Sequence, residues 1–400
     1  MKTEKITRYW ALIVLAVAVT IPAILLRLGG MHVDQPGLTA ALFGCAIVGG
    51  AFLLTWGAEV AEIDISQGLA LAFLALVAVL PEYAVDLYFA WKAAHRPEYT
   101  AYAAANMTGA NRLLIGIAWP LIVGLNWMRN RRAEIRLPRN RAVELAFLTL
   151  ATVYSFVIPL KGTISLLDTV VFVAIFAAYV WRIAEAEAGE PELVGPALAI
   201  AAFRPPIRRT IVVILFLFAA TVILASAEPF AEALIAIGRD SGVDEFLLVQ
   251  WLAPLASEAP EVVIACILTL KGDAQAGLGA MVSAKVNQWT LLVGTLPLVY
   301  SLGLGRAGAL VLDGRQVEEV LLTAAQSLFA VAVICNLRLS LLESGALLAL
   351  FLVQLLFPSP AVRTGFALVY VALAVAVLVR QRTNFCALLR AGLRSSRRRR

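Results

Sequence analysis

The chain has few charged residues, and it contains long apolar runs that a soluble fold has no way to cover. Only 15% of its 400 residues are charged, whereas 61% are hydrophobic. The apolar residues form many runs of about eighteen residues or more, separated by short polar breaks. A bilayer accommodates such runs as helices, because a helix satisfies its own backbone hydrogen bonds. The sequence therefore predicts an all-α polytopic membrane protein.

Other absences narrow the function. The chain has no HExxH, GxGD or GxSG pattern, which argues against an intramembrane enzyme. Its four cysteines are scattered without CxxC or histidine pairing, so neither a disulfide framework nor a zinc site is indicated. The net charge of +6 comes from basic residues in the polar breaks, which the positive-inside rule explains better than nucleic-acid binding does. We expect no enzyme activity, no cofactor and no nucleic-acid partner.

The apolar windows predict about twelve membrane spans. They lie near residues 9–28, 38–57, 67–93, 99–127, 142–160, 164–183, 209–238, 245–270, 274–302, 317–336, 339–357 and 361–380. A cytoplasmic amino terminus puts the arginine-rich segments 128–141, 184–208 and the tail from residue 381 on one side, as the positive-inside rule requires. We therefore expect a bacterial-type inner-membrane protein with both termini in the cytoplasm.

The chain also repeats itself. The stretch "LPEYAVDLYFAWKA" recurs as "APEVVIACILTLKG", and "LLIGIAWPLIV" recurs as "LLVGTLPLVY". Two units of five spans follow, and an odd number of spans inverts the second unit, as in many secondary transporters. The predicted parts are an extra N-terminal helix (1–37), the first repeat (38–183), a cytoplasmic linker (184–208), the second repeat (209–357), and an extra helix with a basic tail (358–400). The sequence does not indicate whether the protein forms oligomers.

Four acids lie inside predicted spans: Glu82, Asp86, Glu258 and Glu261. At about 3 kcal/mol each, taking Glu to be like Asp, they cost about 12 kcal/mol to insert, so we expect them to have a function. Each pair forms one polar face, since positions 82 and 86 lie about 40° apart on a helix and 258 and 261 about 60° apart. Prolines beside each pair remove helix hydrogen bonds, and the carbonyls of Val77 and Ala256 are then available with the carboxylates as hard-cation ligands.

The helix after each acid pair carries amides, namely Asn106 and Asn111 in the first repeat and Asn287 and Gln288 in the second. Amide oxygens coordinate cations without adding charge, although such residues also form hydrogen bonds between helices. Two cations lie beside them. Lys285 either pairs with Glu258 or Glu261, or fills a subsite that a metal ion would otherwise occupy. For Arg112 we expect contacts with backbone carbonyls or snorkelling.

Four further acids recur between the repeats near the ends of spans: Glu59, Glu62, Glu228 and Glu232. Their positions favour charges in a vestibule over ligands of a cation.

The two "PE" helices, each followed by a lysine, a short loop and a helix ending in "LLIG" or "LLVG", resemble the alpha repeats of the cation/calcium antiporter superfamily. The family pattern is roughly G-T-S-L-P-E on the first helix and G-N-x-x-G-S-N-I-x-N on the second. The resemblance implies two inverted five-helix repeats and a midplane site headed by Glu82 and Glu261, the residues that we expect to bind the metal ion.

Carried over residue by residue, the resemblance makes Ser257 and Glu258 the counterparts of the Thr and Ser before the second family glutamate. It puts Ala284, Lys285 and Gln288 at the family's Ser, Asn and final Asn or Asp. In the first repeat, either "GAN" matches G-S-N or Asn111 takes the final Asn, and both registers keep Asn111 near one face. The predicted cation-binding residues are Glu82, Asp86, Asn111, Ser257, Glu258, Glu261 and Gln288, with Asn106, Lys285 and Asn287 as a second tier.

We therefore expect a secondary active antiporter that exchanges Ca²⁺ or Na⁺ against H⁺ or Na⁺ by alternating access. Loss of neutral ligands and gain of titratable groups make proton coupling more plausible than a standard sodium/calcium stoichiometry. Two alternatives stay open: a monovalent Na⁺/H⁺ or K⁺/H⁺ exchanger, and a structural member without transport activity. Inorganic cations and the lipid bilayer are the expected partners.

Overall fold

The computed structural model describes residues 2–31, 33–64, 79–184, 193–357 and 359–394. Helices make up most of these residues, with two π-helical turns, one 3₁₀ turn and four short strands. The α-helices are Lys2–Ala18, Ile21–Leu28, Pro36–Ala61, Leu80–Ala93, Tyr99–Leu113, Trp119–Asn130, Ala142–Ser155, Val157–Lys161, Leu166–Ala184, Pro196–Ala201, Pro205–Ser241, Glu245–Leu270, Ala274–Asn287, Val293–Leu304, Gly314–Ile334, Leu341–Leu356, Pro360–Arg380 and Arg382–Leu393. The π turns are Leu114–Ala118 and Gln288–Leu292, and the 3₁₀ turn is Arg139–Arg141.

Nine helical segments in the described parts of the chain are long and apolar enough to cross a membrane. They are Ile6–Leu28, Pro36–Ala61, Tyr99–Asn130, Arg139–Lys161, Leu166–Ala184, Pro205–Ser241, Glu245–Leu270, Gly314–Ile334 and Pro360–Arg380. The other three predicted spans differ in kind. Residues 67–78 lie outside the described residues, 274–304 form a helix rich in polar side chains, and Leu341–Leu356 is a shorter apolar helix. The count of twelve spans stays a prediction.

Four helices carry the predicted site residues. The first acid helix is Leu80–Ala93 and the second acid helix is Glu245–Leu270. The first amide helix is Tyr99–Asn130, and the second amide helix spans residues 274–304; each contains one of the π turns. Both amide helices end at a residue in the left-handed conformation, Arg131 with φ 54° and Gly305 with φ 66°, which stops the helix by redirecting the backbone.

The chain divides into two compact units. Unit 1 comprises Met1–Tyr88 and Glu187–Glu261, and unit 2 comprises Phe89–Ala186 and Val262–Arg400. Both acid helices therefore contribute to both units.

In unit 1 the helix Pro36–Ala61 packs along the long helix Pro205–Ser241. Glycines on the first helix allow this close approach, because a Cβ at Gly44 would lie 2.9 Å from the ring of Phe230, and one at Gly50 would lie 3.0 Å from Ile223. The long helix begins with prolines at its first positions, where no backbone donor is needed, and ends before Gly242 in the left-handed conformation.

Unit 2 contains two short antiparallel ribbons that the sequence analysis did not anticipate. Strand β1 (Glu134–Arg136) pairs with β4 (Arg338–Ser340), and β2 (Thr163–Ser165) pairs with β3 (Ala309–Val311). Both β1 and β3 follow an amide helix, and each pairs with the strand between the last two helices of the other predicted repeat. Each ribbon therefore joins one strand of the first predicted repeat to one strand of the second, in the same way at both places.

The glycines of "LLIG" and "LLVG" also lie at contacts between the two predicted repeats. A Cβ at Gly116 would lie 2.3 Å from the ring of Phe351, and a Cβ at Gly294 would lie 3.0 Å from the Cβ of Phe172. Each glycine thus lets an amide helix pack against the last helix of the other predicted repeat, Leu341–Leu356 or Leu166–Ala184. The structure therefore gives the repeated motif a packing role that its sequence did not reveal.

Candidate cation site

The predicted site residues fall into two groups, one in each unit. Unit 1 holds the acids and the serine: Glu82, Asp86, Ser257, Glu258 and Glu261. Unit 2 holds the amides and the lysine: Asn106, Asn111, Lys285, Asn287 and Gln288.

The acids of both repeats form one electrostatic cluster in unit 1. Glu82, Asp86 and Glu258 are buried, with relative exposures of 1%, 0% and 4%, and Glu261 is partly exposed. The Glu82 carboxylate lies close enough to Glu261, Glu258 and Asp86 for their charges to act on it. Within the described residues, neither carboxylate oxygen of Glu82 has a hydrogen-bond partner.

The second acid helix contains two prolines that interrupt its hydrogen bonding, Pro254 and Pro260. They cannot donate to the carbonyls four residues earlier, at Gln250 and Ala256. The Ser257 hydroxyl donates to the carbonyls of Ala253 and Pro254, each at 3.3 Å, and is buried beside Glu258. The helix therefore presents polar backbone as well as carboxylates. Pro260 belongs to the predicted site, whereas Pro254 was not among the predicted residues.

The first acid helix, as described, begins at Leu80, so Pro81 stands in its first turn, where proline is tolerated. The predicted carbonyl ligand at Val77 lies outside the described residues. Tyr83 follows Glu82 and is 5% exposed, and both Glu82 and Asp86 act on it electrostatically. Tyr83 was not among the predicted site residues.

The acids do not by themselves converge into a metal cage. Among the described residues, no three acidic, histidine or cysteine side chains lie together closely enough to hold a metal ion. A hard cation with six to eight oxygen ligands would therefore need neutral oxygens in addition to Glu82 and Glu261.

The amide group in unit 2 is organised around Lys285, which is fully buried. Its ammonium donates to the side-chain oxygen of Asn111 at 2.6 Å and to the backbone carbonyl of Asn111 at 3.2 Å. The same ammonium lies 4.5 Å from the ring centroid of Trp289, one turn further along the second amide helix. The structure therefore joins Lys285 and Asn111, two residues that the sequence analysis had considered separately.

The remaining predicted amides are also buried in unit 2. Asn106 is 2% exposed, Asn287 6% and Gln288 1%. Within the described parts of the chain, the side-chain oxygen of Asn106 accepts no hydrogen bond. Gln288 opens the π turn of the second amide helix, and π turns in helices are frequent at functional sites.

Of the two alternatives expected for Arg112, snorkelling was wrong. This arginine is 1% exposed and does not snorkel; it donates to the carboxylate of Glu319 at 2.6 Å and to the side-chain oxygen of Gln354. Arg363 joins the network from the last long helix, with 2.9 Å to Glu318 and 3.8 Å to Glu319. A buried guanidinium requires such partners, because desolvation without a counter-charge is costly.

The recurring outer acids interact with neighbours in unit 1. Glu59 accepts the backbone N–H of Val194 at 2.8 Å, Glu228 pairs with Arg27 at 2.7 Å, and Glu232 accepts the hydroxyl of Tyr88. Glu228 and Glu232 line a cavity of about 490 Å³ beside the helix Pro205–Ser241. This arrangement is compatible with vestibule charges, and that role stays a prediction.

Repeat-related acid helices within a bundle of membrane-spanning helices define the class of the protein, a membrane-embedded cation antiporter. The model of the family described as "Sodium/calcium exchanger protein" matches residues 36–184 and 211–359. The chain belongs to this family.

The chain is also similar to solved structures. A crystal structure of the H⁺/Ca²⁺ exchanger CAX is 44% identical, with a TM-score of 0.94 over 97% of this chain and 98% of that one. The structure of native YfkE is 16% identical, with a TM-score of 0.61 over 90% of this chain and 99% of that one. The sodium-calcium exchanger NCX_Mj is 16% identical, with a TM-score of 0.52 over 80% of this chain and 98% of that one. The comparison with curated proteins gave no match.

The comparisons bear on the predictions unequally. They confirm the superfamily, the fold with two repeats and the antiporter class. The assignment of individual ligands and the boundaries of the domains stay predictions.

Proposed function

We propose that this chain exchanges Ca²⁺ for H⁺ across a membrane, with Glu82 and Glu261 as the principal ligands of the calcium ion. The observation that carries the proposal is the environment of Glu82. Its carboxylate is buried, has no hydrogen-bond partner within the described residues, and lies within reach of the charges of Asp86, Glu258 and Glu261. The 44% identity to an H⁺/Ca²⁺ exchanger supports the same choice of ions.

Electrostatics supports exchange rather than simple binding. Four carboxylates in one low-dielectric region repel each other strongly unless positive charge compensates them. Either protons on the carboxylates or a bound divalent cation supplies that charge. A carrier that takes up one and releases the other avoids the uncompensated state, and this alternation couples the two fluxes.

The other residues have supporting roles in this proposal. Asp86 and Glu258 carry protons, and the carbonyls near Pro254 and Pro260 supply neutral oxygens to the calcium ion.

The membrane and the orientation are part of the same proposal. The basic segments 128–141 and 184–208 and the C-terminal tail favour the cytoplasmic side by the positive-inside rule. We place the protein in a bacterial-type inner membrane with both termini in the cytoplasm. Fusing a reporter that is active only in the cytoplasm to either terminus tests this orientation.

Flux through purified protein in liposomes tests the exchange. An imposed pH gradient should drive Ca²⁺ uptake by the wild type, and Glu82→Gln and Glu261→Gln should abolish it, because each change removes a charge that balances the divalent ion. Glu98→Gln is the matched control, since Glu98 is exposed at the start of the first amide helix. Unchanged uptake in both site variants would refute the ligand assignment.

The same liposomes distinguish the alternatives. Na⁺ or K⁺ flux against the pH gradient without Ca²⁺ flux would indicate a monovalent exchanger. Absence of every flux from correctly folded wild-type protein would indicate a member without transport activity.

A further inference from the structure

The buried lysine of unit 2 has the surroundings of a bound cation. Its ammonium contacts two oxygens of Asn111, at 2.6 and 3.2 Å, and lies 4.5 Å from the ring centroid of Trp289. Oxygen ligands and aromatic faces are what proteins offer to monovalent cations. Lys285 and Asn111 are both fully buried.

The orientation of Asn111 adds to this picture. Its amide nitrogen donates to the carbonyl of Met107 on the same helix, at 2.9 Å. That hydrogen bond commits the N–H side of the amide to the helix and points the oxygen at the ammonium. The first amide helix therefore presents two oxygens in a fixed direction, which is the arrangement that a cation ligand requires.

We infer that the Lys285 ammonium is a built-in cation that fills a monovalent-cation subsite formed by Asn111. Only the consequence of this inference for transport rests on the proposed function. With the subsite permanently filled by a tethered charge, Ca²⁺/H⁺ exchange needs no Na⁺. Lys285 thereby determines ion specificity without binding the transported calcium.

A variant that empties the subsite tests the inference. Lys285→Ala removes the ammonium and leaves space, so Na⁺ or NH₄⁺ should bind between the Asn111 oxygens and stabilise the folded state. We expect either ion to raise the thermal unfolding midpoint of detergent-purified Lys285→Ala by about 3 °C or more relative to choline at equal ionic strength. The wild type should show no comparable rise.

Three variants separate this effect from general salt stabilisation. Lys285→Met removes the charge but fills the space, so Na⁺ should have no effect on it. In Lys285→Ala with Asn111→Leu, one of the two oxygens is gone, and the response should fall or disappear. Lys271→Ala makes the same substitution at an exposed lysine and should behave like the wild type.

The outcomes are decisive in both directions. A response confined to Lys285→Ala supports the inference. The inference is overturned if Na⁺ and NH₄⁺ do not raise the unfolding midpoint of folded Lys285→Ala, or if they raise that of the wild type equally. Failure of Lys285→Ala to fold in either salt while Lys285→Met folds overturns it as well. Because this measurement involves no transport, its failure is distinct from failure of the proposed exchange.

The transport consequence has its own readout. Ca²⁺ uptake by the wild type should be the same with Na⁺ or choline outside the liposomes. In Lys285→Ala, Na⁺ should change the apparent affinity for Ca²⁺ by about fivefold or more, the coupling expected between two linked sites. Equal uptake with Na⁺ and choline in Lys285→Ala would overturn this consequence.

Discussion

The Arg112 guanidinium lies 2.6 Å from the Glu319 carboxylate, and the two side chains are 1% and 3% exposed. This ion pair ties the first amide helix to the helix Gly314–Ile334, one residue after the Asn111 that receives the Lys285 ammonium. Gln354 and Arg363 extend the contact to the last two long helices of unit 2. The position of Asn111 therefore depends on a buried charge network around its neighbour.

Removing one partner of this ion pair should lower the stability of the folded protein more than removing both partners does. Arg112→Leu leaves the Glu319 charge without its closest partner and should cost about 3 to 5 kcal/mol of stability. Arg112→Leu with Glu319→Gln should cost less, because no unbalanced carboxylate remains. Thermal unfolding in detergent measures the difference, and Arg129→Leu on the exposed face of the same helix is the control. A single variant as stable as the control would contradict the buried-pair interpretation.

Gly116→Ala should destabilise unit 2, although alanine normally favours helices. The added Cβ would lie 2.3 Å from the ring of Phe351, so the ring or the helix must shift, at about 1 to 3 kcal/mol. Gly124→Ala is the matched control, because nothing lies within 4 Å of a Cβ there. That control should be neutral or gain up to about 1 kcal/mol in unfolding free energy. Equal stability of the two variants would show that the packing at Gly116 tolerates a methyl group.

The repeats could be predicted because their signal is local. Proline beside glutamate recurs in two acid helices, and a buried carboxylate is too costly to recur without a function. The spacing of Glu82 from Asp86 and of Glu258 from Glu261 placed each pair on one helix face. In the structure the charges of Asp86, Glu258 and Glu261 all act on Glu82.

The partners of the two buried cations could not be predicted in the same way. Arg112 reaches Glu319 and Gln354, which are 207 and 242 residues away along the chain. Lys285 bonds to Asn111 across 174 residues. No period or motif encodes which of several buried polar residues lies opposite another, because tertiary packing decides that choice. The three-residue strands escaped prediction for a similar reason, since so few residues carry no alternation.

The pair formed by Asp64 and Arg208 should give a pH-dependent contribution to stability. Arg208 donates to both carboxylate oxygens of Asp64, at 2.7 and 2.8 Å, and this hydrogen bonding lowers the pKa of Asp64 below its ordinary value of 3.8. Because the folded pKa lies below the unfolded one, the stabilisation is full above about pH 3.8 and is lost as the pH falls through the folded pKa.

Asp64→Asn should therefore lower the unfolding midpoint at neutral pH by about 2 to 4 °C, the shift that about 1 kcal/mol produces. The difference from the wild type should stay constant down to mildly acidic pH and vanish in strong acid. Thermal unfolding across that pH range measures it, with Asp240→Asn at an exposed position as the control. A difference that persists unchanged in acid would argue against an ionised Asp64 as its cause.

Asp86 provides the sharpest test of proton coupling, because the family pattern does not require an acid at this position. It is fully buried, and its charge acts on Glu82 one helical turn away. If Asp86 carries one of the exchanged protons, Asp86→Asn should keep Ca²⁺ uptake but lower the number of protons released per Ca²⁺ by about one. Simultaneous measurement of Ca²⁺ uptake and internal pH in liposomes gives this ratio.

Glu82→Gln should instead abolish uptake, and Asp34→Asn, at an exposed position, should change neither quantity. An unaltered ratio with normal uptake would remove Asp86 from the proton pathway, whereas lost uptake would place it among the calcium ligands.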